Sequence, residues 1–333
     1  MWEGRIQKLV KVLARHAPQL QSLEYIDPCQ NWTEPCSALP PELGQLSQLT
    51  KLSIGMGLAA VSTARVDAML LNLPSLQHLR LKYATSSCSE SEFPLGIVTS
   101  CAQLRYLEIN RFVSQEDMPP DIGCLTRLTS LVLEQCEFIS LSHCITQLTA
   151  LRGLSYRRSF IVSGVPTLPP GLTACQLLTS LMMSSDVKSP TLAELHSLRY
   201  LFVAVESRQM GAEIYWTHLT GLTELVLECG YEDACLDGLA GMISLRSLTI
   251  SMAYPCRIPS GPYLCRLESL YFKHIKFLDG LPKCLAAATQ LRHLHIIGRR
   301  NAHDGGSIGM SYADTAMLAA MPLVNVVVQP YTI

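Results

Sequence analysis

Charge is scarce in this 333-residue chain: Asp, Glu, Lys and Arg together make up 16% of it, against roughly 25% in an average soluble protein. Much of its polar surface must therefore come from Ser, Thr, Gln and backbone groups. Neither sign prevails, since 26 Lys and Arg stand against 27 Asp and Glu, a net charge of −1. A phosphate backbone is generally bound by a basic face, so nucleic acid is not an expected partner. Long apolar runs are missing as well. Nowhere does the chain reach the roughly 18 consecutive apolar residues of a membrane span. The first residues, Met1 to Leu13, mix charges among their apolar positions, unlike the unbroken apolar stretch of a secretory signal. A cytoplasmic protein with no membrane span is the expectation. Close Cys-x₂₋₄-Cys pairs, which structural zinc sites favour, are absent from the densest Cys/His group, Cys124, Cys136, His143 and Cys144. No metal is expected there.

What the chain does have is apolar residues, 48% of the total, and 13 cysteines. So odd a number leaves at least one thiol unpaired, and the spread is too wide for a tight disulfide framework. Several cysteines occupy positions where a buried small apolar side chain is needed, so they read as reduced core residues.

The dominant feature is self-similarity. Leu-x-x-Leu-x-Leu, with conservative replacements, recurs from Leu20-Leu23-Tyr25 through Leu49-Leu52-Ile54, Leu76-Leu79-Leu81, Leu104-Leu107-Ile109 and onward to Leu323-Val326-Val328, 13 copies at spacings of 20 to 32 residues. Most copies carry another apolar residue three positions earlier, among them Leu46, Leu73, Cys101, Leu148, Cys175 and Met242. The second and third anchors alternate with polar residues, the period of a strand with one buried face. A unit of about 25 residues is too small for a core of its own and must bury its leucines against its neighbours. Six apolar-Pro pairs, Leu39-Pro40, Phe93-Pro94, Met118-Pro119, Leu168-Pro169, Ile258-Pro259 and Leu281-Pro282, open the return path, where proline ends an extended segment and pre-sets φ for a short helical turn.

Leu39-Pro-Pro-Glu-Leu43-Gly-Gln-Leu46-Ser-Gln-Leu49-Thr-Lys-Leu52-Ser-Ile54 resembles the unit of intracellular leucine-rich-repeat proteins. Within them it is similar to Ras-binding-type scaffolds and the repeat domains of plant immune receptors. The resemblance covers roughly residues 17 to 330. It implies an α/β solenoid, a horseshoe with a concave parallel sheet and short helices or irregular turns on the convex side. It also implies a surface used for binding proteins. One position departs from that family, which usually places Asn or Cys three residues after the last strand leucine. Here Gly57, Ala84, Phe112, Cys136, Ser159, Asp186, Glu206, Gly230 and Ala253 stand there, so only Cys136 fits and an irregular solenoid is expected.

An open solenoid needs caps. Ile6, Leu9, Val10 and Leu13 form the stripe of an amphipathic helix, which makes residues 1–16 an N-terminal cap and 17–333 the repeat domain. At the other end, Val326-Val327-Val328 forms an apolar strand that is a potential exposed edge. Either Pro330 and Tyr331 blunt it, or it pairs with a second copy or with sequence beyond. Two insertions read as helical, Thr63 to Leu71 and Asp314 to Ala320, and Gly298 to Gly309 reads as a mobile surface loop.

Three further motifs yield to plainer readings. Ile54-Gly-Met-Gly-Leu-Ala-Ala60 superficially matches a dinucleotide loop, but the next strand ends Leu81-Lys82 without the acidic residue such a loop requires. Asp27-Pro-Cys29 to Cys36, with the sequon Asn31-Trp32-Thr33, is similar to the paired-cysteine cap of secreted plant repeat proteins, yet follows the first repeat instead of preceding it. His293 and His295, two apart on a strand, share a face and read as polar members of it. No Ser-His-Asp or Cys-His arrangement stands apart from the repeat, so neither catalytic residues nor cofactors are expected.

If the anchors are buried, the residues two and four after each first leucine face the concave side. These rows bring Met182, Tyr200, Phe202 and Val226 together, an exposed apolar and aromatic cluster of the kind found at interfaces. Arg80, Tyr106, Tyr271, His293 and His295 complete the expected partner-binding set. The expectation is a non-enzymatic scaffold for a protein partner, in signalling or immunity. The alternatives are a regulator of an enzyme (a small-GTPase activator or a ubiquitin-ligase substrate receptor) and a fragment of a larger receptor.

Overall fold

The computed structural model describes residues 3–26, 41–55, 63–82, 93–112, 117–136, 138, 141, 143–157, 168–184, 190–205, 218–229, 236–252, 258–275, 277, 280–298 and 311–329. The Cys29–Cys36 segment with its sequon, Leu39-Pro40, most of the Gly-Met-Gly loop and residues 299–310 lie outside them. The chain divides into two compact units, Met1–Leu178 and Thr179–Ile333.

In the first unit, helix α1 (Glu3–His16) precedes strands β1 (Ser22–Ile26), β2 (Lys51–Gly55), β3 (His78–Lys82), β4 (Tyr106–Asn110), β5 (Ser130–Glu134) and β6 (Gly153–Arg157). Each strand pairs in parallel with the next in sequence. Every repeat thus supplies one strand where its leucine pattern places it. The register aligns like positions: Leu52 with Leu79, Leu107, Leu131 and Leu154, and Ile54 with Leu81, Ile109, Leu133 and Tyr156. All ten are at most 2% exposed. They form two inward columns, and truncating any one to Ala would cost about 2–5 kcal/mol.

The second unit repeats the scheme with β7 (Ser180–Ser184), β8 (Tyr200–Val205), β9 (Glu224–Cys229), β10 (Ser247–Ser251), β11 (Ser269–Ile275), β12 (His293–Gly298) and β13 (Asn325–Gln329). All are parallel and in sequence order.

Threonine recurs immediately after the first leucine and ties neighbours together. The hydroxyls of Thr50, Thr129 and Thr223 donate to the carbonyls of Gln21, Arg105 and Arg199 at 2.9–3.0 Å. Just beyond three strands one residue turns into the left-handed region, Arg111, Gln135 and Met252 with φ of 55–61°, and His274 does so at 55° inside β11, where the register shifts between Lys273 and Ile275. The N–H of Arg111 and Met252 each reach one carbonyl of the following strand, Glu134 and Lys273. The left-handed residue makes that last ladder bond and then directs the chain off the sheet.

The return path follows the proline expectation at three of the five described apolar-Pro pairs. Pro119, Pro169 and Pro282 stand just before the 3₁₀ turns Pro120–Cys124, Pro170–Ala174 and Lys283–Ala287, with φ between −54° and −60°. Each accepts the first turn hydrogen bond on its carbonyl. At Ile258-Pro259 the pattern slips, and Gly261 takes the capping position before the turn Pro262–Arg266. The helical insertions are α2 (Thr63–Leu70) and α5 (Tyr312–Ala319); α3 (Gly96–Ser100) and α4 (Pro190–Ala193) are single turns.

Cys136 alone matches the residue type usual at the post-strand position, and its thiol donates to the Ile109 carbonyl at 3.2 Å, across one repeat. Phe112 at the equivalent position packs between Phe93 and Phe138, with ring centroids 5.9 and 5.4 Å away. Cys101 and Cys175 are buried as expected of leucine replacements, and all eight described cysteines are free thiols. The α1 stripe needs one correction. Val10 is buried and Leu13 half-buried, but Leu9 is 51% exposed. One residue is a 100° rotation about a helix axis, so a stripe centred on Val10 turns Leu9 outward. The Lys11 ammonium meets the Glu42 carboxylate at 3.2 Å, joining α1 to the first return turn.

Candidate functional site

The residues between the inward anchors form outward rows on each unit's sheet, and strand register decides which meet. In the second unit one row runs Met182, Phe202, Val226, Thr249, Tyr271, His295, Val327 across seven strands. The row beside it runs Ser180, Tyr200, Glu224, Ser247, Ser269, His293, Asn325. Seven of the nine sequence-derived site residues therefore lie on these two rows. They fall into two groups.

The apolar group is centred on Phe202, flanked in register by Met182 and Val226, with Tyr200 two residues earlier on its strand. The cluster is less exposed than the row pattern implies. Phe202 is only 9% exposed, while Met182, Tyr200 and Val226 are half-buried. Strands about 4.8 Å apart let the flanking side chains close over a central ring. What reaches solvent is a shallow apolar surface with Phe202 as its floor. Thr249, 8% exposed, separates it from the second group.

That second group is aromatic and imidazole. The Tyr271 and His295 rings lie 5.1 Å apart at 50°. The His293 Nδ1 is 3.3 Å from the Asn325 amide nitrogen, a contact that orients the ring. His293 and His295 are both half-buried on the outward face, as their spacing requires.

Arg80 and Tyr106 belong to the first unit, and there they serve each other. The Arg80 Nε donates to Glu108 Oε2 at 2.7 Å, and the Tyr106 hydroxyl donates to the same oxygen at 2.5 Å. His78 stacks on Tyr106 with centroids 6.0 Å apart. The Tyr106 hydroxyl, and then Glu108, hold the Arg80 guanidinium above its ordinary pKa against the opposing effect of burial. Burial, then the Glu108 hydrogen bond, pushes the Tyr106 phenol up. Glu108 stands in the same outward row as Arg80 but was not among the expected partner-binding residues. Its signal was legible, because opposite charges on neighbouring strands of one row pair directly. At this half-exposed position the ion pair contributes at most about 1 kcal/mol. It sets the orientation of Arg80 more than the stability of the sheet.

Of the Cys/His group, Cys136 is committed to the ladder while Cys124 and His143 are exposed. Among the described residues no three His, Cys, Asp or Glu side chains gather as metal ligands would. No described helix is long and apolar enough to cross a membrane.

A family model described as a leucine-rich repeat region matches residues 65–304. No curated protein matches the sequence. Among solved structures, a leucine-rich-repeat protein of Leptospira interrogans is similar over 86% of this chain and 81% of its own, at 16% identity and a TM-score of 0.50. The Arabidopsis receptor kinase HAESA, solved with the peptide hormone IDA and the co-receptor SERK1, matches over 90% of this chain at 16% identity and a TM-score of 0.51. TLR13, solved with a single-stranded RNA, matches over 95% at 14% identity and a TM-score of 0.59. This chain spans 54% of the HAESA chain and 45% of the TLR13 chain. At these identities the likeness is one of fold.

Proposed function

This chain belongs to the leucine-rich repeat family, and from that membership we propose that it is a non-enzymatic scaffold that holds a protein partner on the outward rows of its sheet. One observation carries the reading: Met182, Phe202 and Val226 stand in register on three adjacent strands, with Tyr200 beside them. An apolar surface with an aromatic floor and a polar surround is the composition of a protein-binding centre. The flanking Ser180, Glu224 and Ser247 are the rim. HAESA offers a parallel for peptide as the bound species. A net charge of −1 supports protein over nucleic acid. The eight free thiols among the described cysteines support work in a reducing compartment, the cytoplasm. There the scaffold serves signalling or immunity.

The test is capture of partners from a native soluble extract by the wild-type chain and by a Met182→Ser, Tyr200→Ser double variant. Phe202 is left intact, because truncating a buried Phe costs about 3–5 kcal/mol and would confuse loss of binding with loss of fold. The expected result is a partner recovered by wild type and lost by the variant, with thermal melts a few degrees apart at most. Equal recovery by both proteins would remove this surface from the site.

A further inference from the structure

The last strand breaks a rule that the rest of the second unit keeps. On β12 the inward anchors Leu294 and Ile296 are 0% exposed. Their register partners on β13 are Val326 and Val328, and these are 47% and 39% exposed, with Val324 just before them at 71%. Register shows that both valines stand in the inward columns, so their exposure does not come from a flipped strand. It comes from one-sided pairing. Among the described residues β13 is bonded to β12 alone, and its other edge presents backbone donors and acceptors beside an uncovered apolar column.

The five residues Asn325-Val-Val-Val-Gln329 contain none of the devices that keep strand edges apart, neither Lys nor Pro nor any other charge or breaker. They also read almost the same in both directions. An antiparallel copy centred on Val327 sets Val326 against Val328, Val327 against Val327, and the amide of Asn325 against that of Gln329. The parity is right as well. Residues 326 and 328 are both inward, so apolar columns meet apolar columns and the outward rows stay outward. No like charges face each other, as they would at an edge designed to stay single. An unrelated strand would have no reason to satisfy these conditions together.

We infer that β13 is a self-association edge, at which a second copy of this chain pairs antiparallel about a two-fold axis through Val327. The contact is isologous and therefore closes at a dimer. One five-residue strand buries less than the roughly 1,200 Å² of a standard interface, so the dimer is weak and depends on concentration. The inference is independent of the partner-binding reading and stands on the exposure, register and sequence of β13.

Sedimentation velocity on the 333-residue chain, from about 1 μM to 1 mM, should show a monomer–dimer equilibrium. Val327→Lys puts two ammonium groups opposite each other at the axis and should raise the dimerisation midpoint by at least about tenfold, with an unchanged melting curve. Val327→Thr should dimerise like wild type. Antiparallel pairing also brings position 327 of each copy within about 5.5 Å between Cα atoms, inside disulfide reach. Oxidised Val327→Cys should therefore give a cross-link that peptide mass spectrometry maps to 327 in both chains. A wild-type chain that stays monomeric throughout would overturn the inference. So would a dimer indifferent to Val327→Lys, or a cross-link confined to other cysteines.

Discussion

A cysteine in place of a repeat leucine keeps the volume of the site small and changes its reactivity. Burial pushes the Cys101 thiol up to about 12, and burial followed by the neighbouring Glu228 does the same to Cys229. Cys124 and Cys265 lie exposed on return turns. The thiolate is the reactive form, so iodoacetamide at pH 8 should label Cys124 and Cys265 at least about a hundredfold faster than Cys101 and Cys229. Peptide mass spectrometry along a time course reads the rates, and similar rates at all four would contradict the burial. Asp67 supplies the other residue-scale effect. Its Oδ1 accepts the Gly96 N–H at 2.6 Å. Burial nevertheless holds its carboxyl above the ordinary value, with the Gly96 bond pulling the other way. A carboxyl with a raised folded pKa favours the folded state below its unfolded value and loses that contribution as pH rises through the folded value. Asp67→Asn keeps an acceptor for Gly96 and removes the charge. Urea melts from pH 4 to 7 should show a flatter fall in stability for the variant than for wild type. An unchanged slope would assign the pH dependence elsewhere.

At the scale of elements, helix α5 is held by a single carboxylate. Asp314 Oδ2 accepts the Ser311 N–H at 2.6 Å, and Ser311 Oγ accepts the Asp314 N–H at 3.2 Å, closing a capping box. The other carboxylate oxygen accepts Leu281 N–H at 3.1 Å from the preceding return turn. Gly280 makes room for this contact. Its φ is +81°, and a Cβ there would stand 2.5 Å from Asp314 Oδ2. Asp314→Ala should destabilise the chain by about 2–4 kcal/mol, a lost cap plus a buried N–H left without a partner. Gly280→Ala should destabilise it by a similar amount from the other side of the same contact. Chemical denaturation measures both, and a loss under about 0.5 kcal/mol for either would show that α5 is docked by other means. Half of this was legible in advance. Ser311-x-x-Asp314 is a readable helix start, although the helical pattern itself became clear only at Asp314. That the same carboxylate caps a turn 33 residues earlier was not, because nothing local to either segment announces the other.

Over the whole molecule, legibility follows the same division. Every one of the 13 described strands lies where its leucine triplet placed it, since a period-two pattern bounded by breakers leaves one register that buries the anchors. The outward rows followed at once, and with them the grouping of Met182, Tyr200, Phe202 and Val226. How far each side chain is covered did not follow. Phe202 and Val327 occupy the same row, yet Phe202 is 9% exposed and Val327 half-buried at an open edge. Arg80 belonged to the expected partner-binding set and is engaged with Glu108. The repeat, the strand positions and the two faces were legible in the sequence, because they depend on spacing along the chain and on the need to bury leucine. Which outward residues remain available was settled by packing, because coverage and pairing come from side chains on strands 20 to 32 residues away.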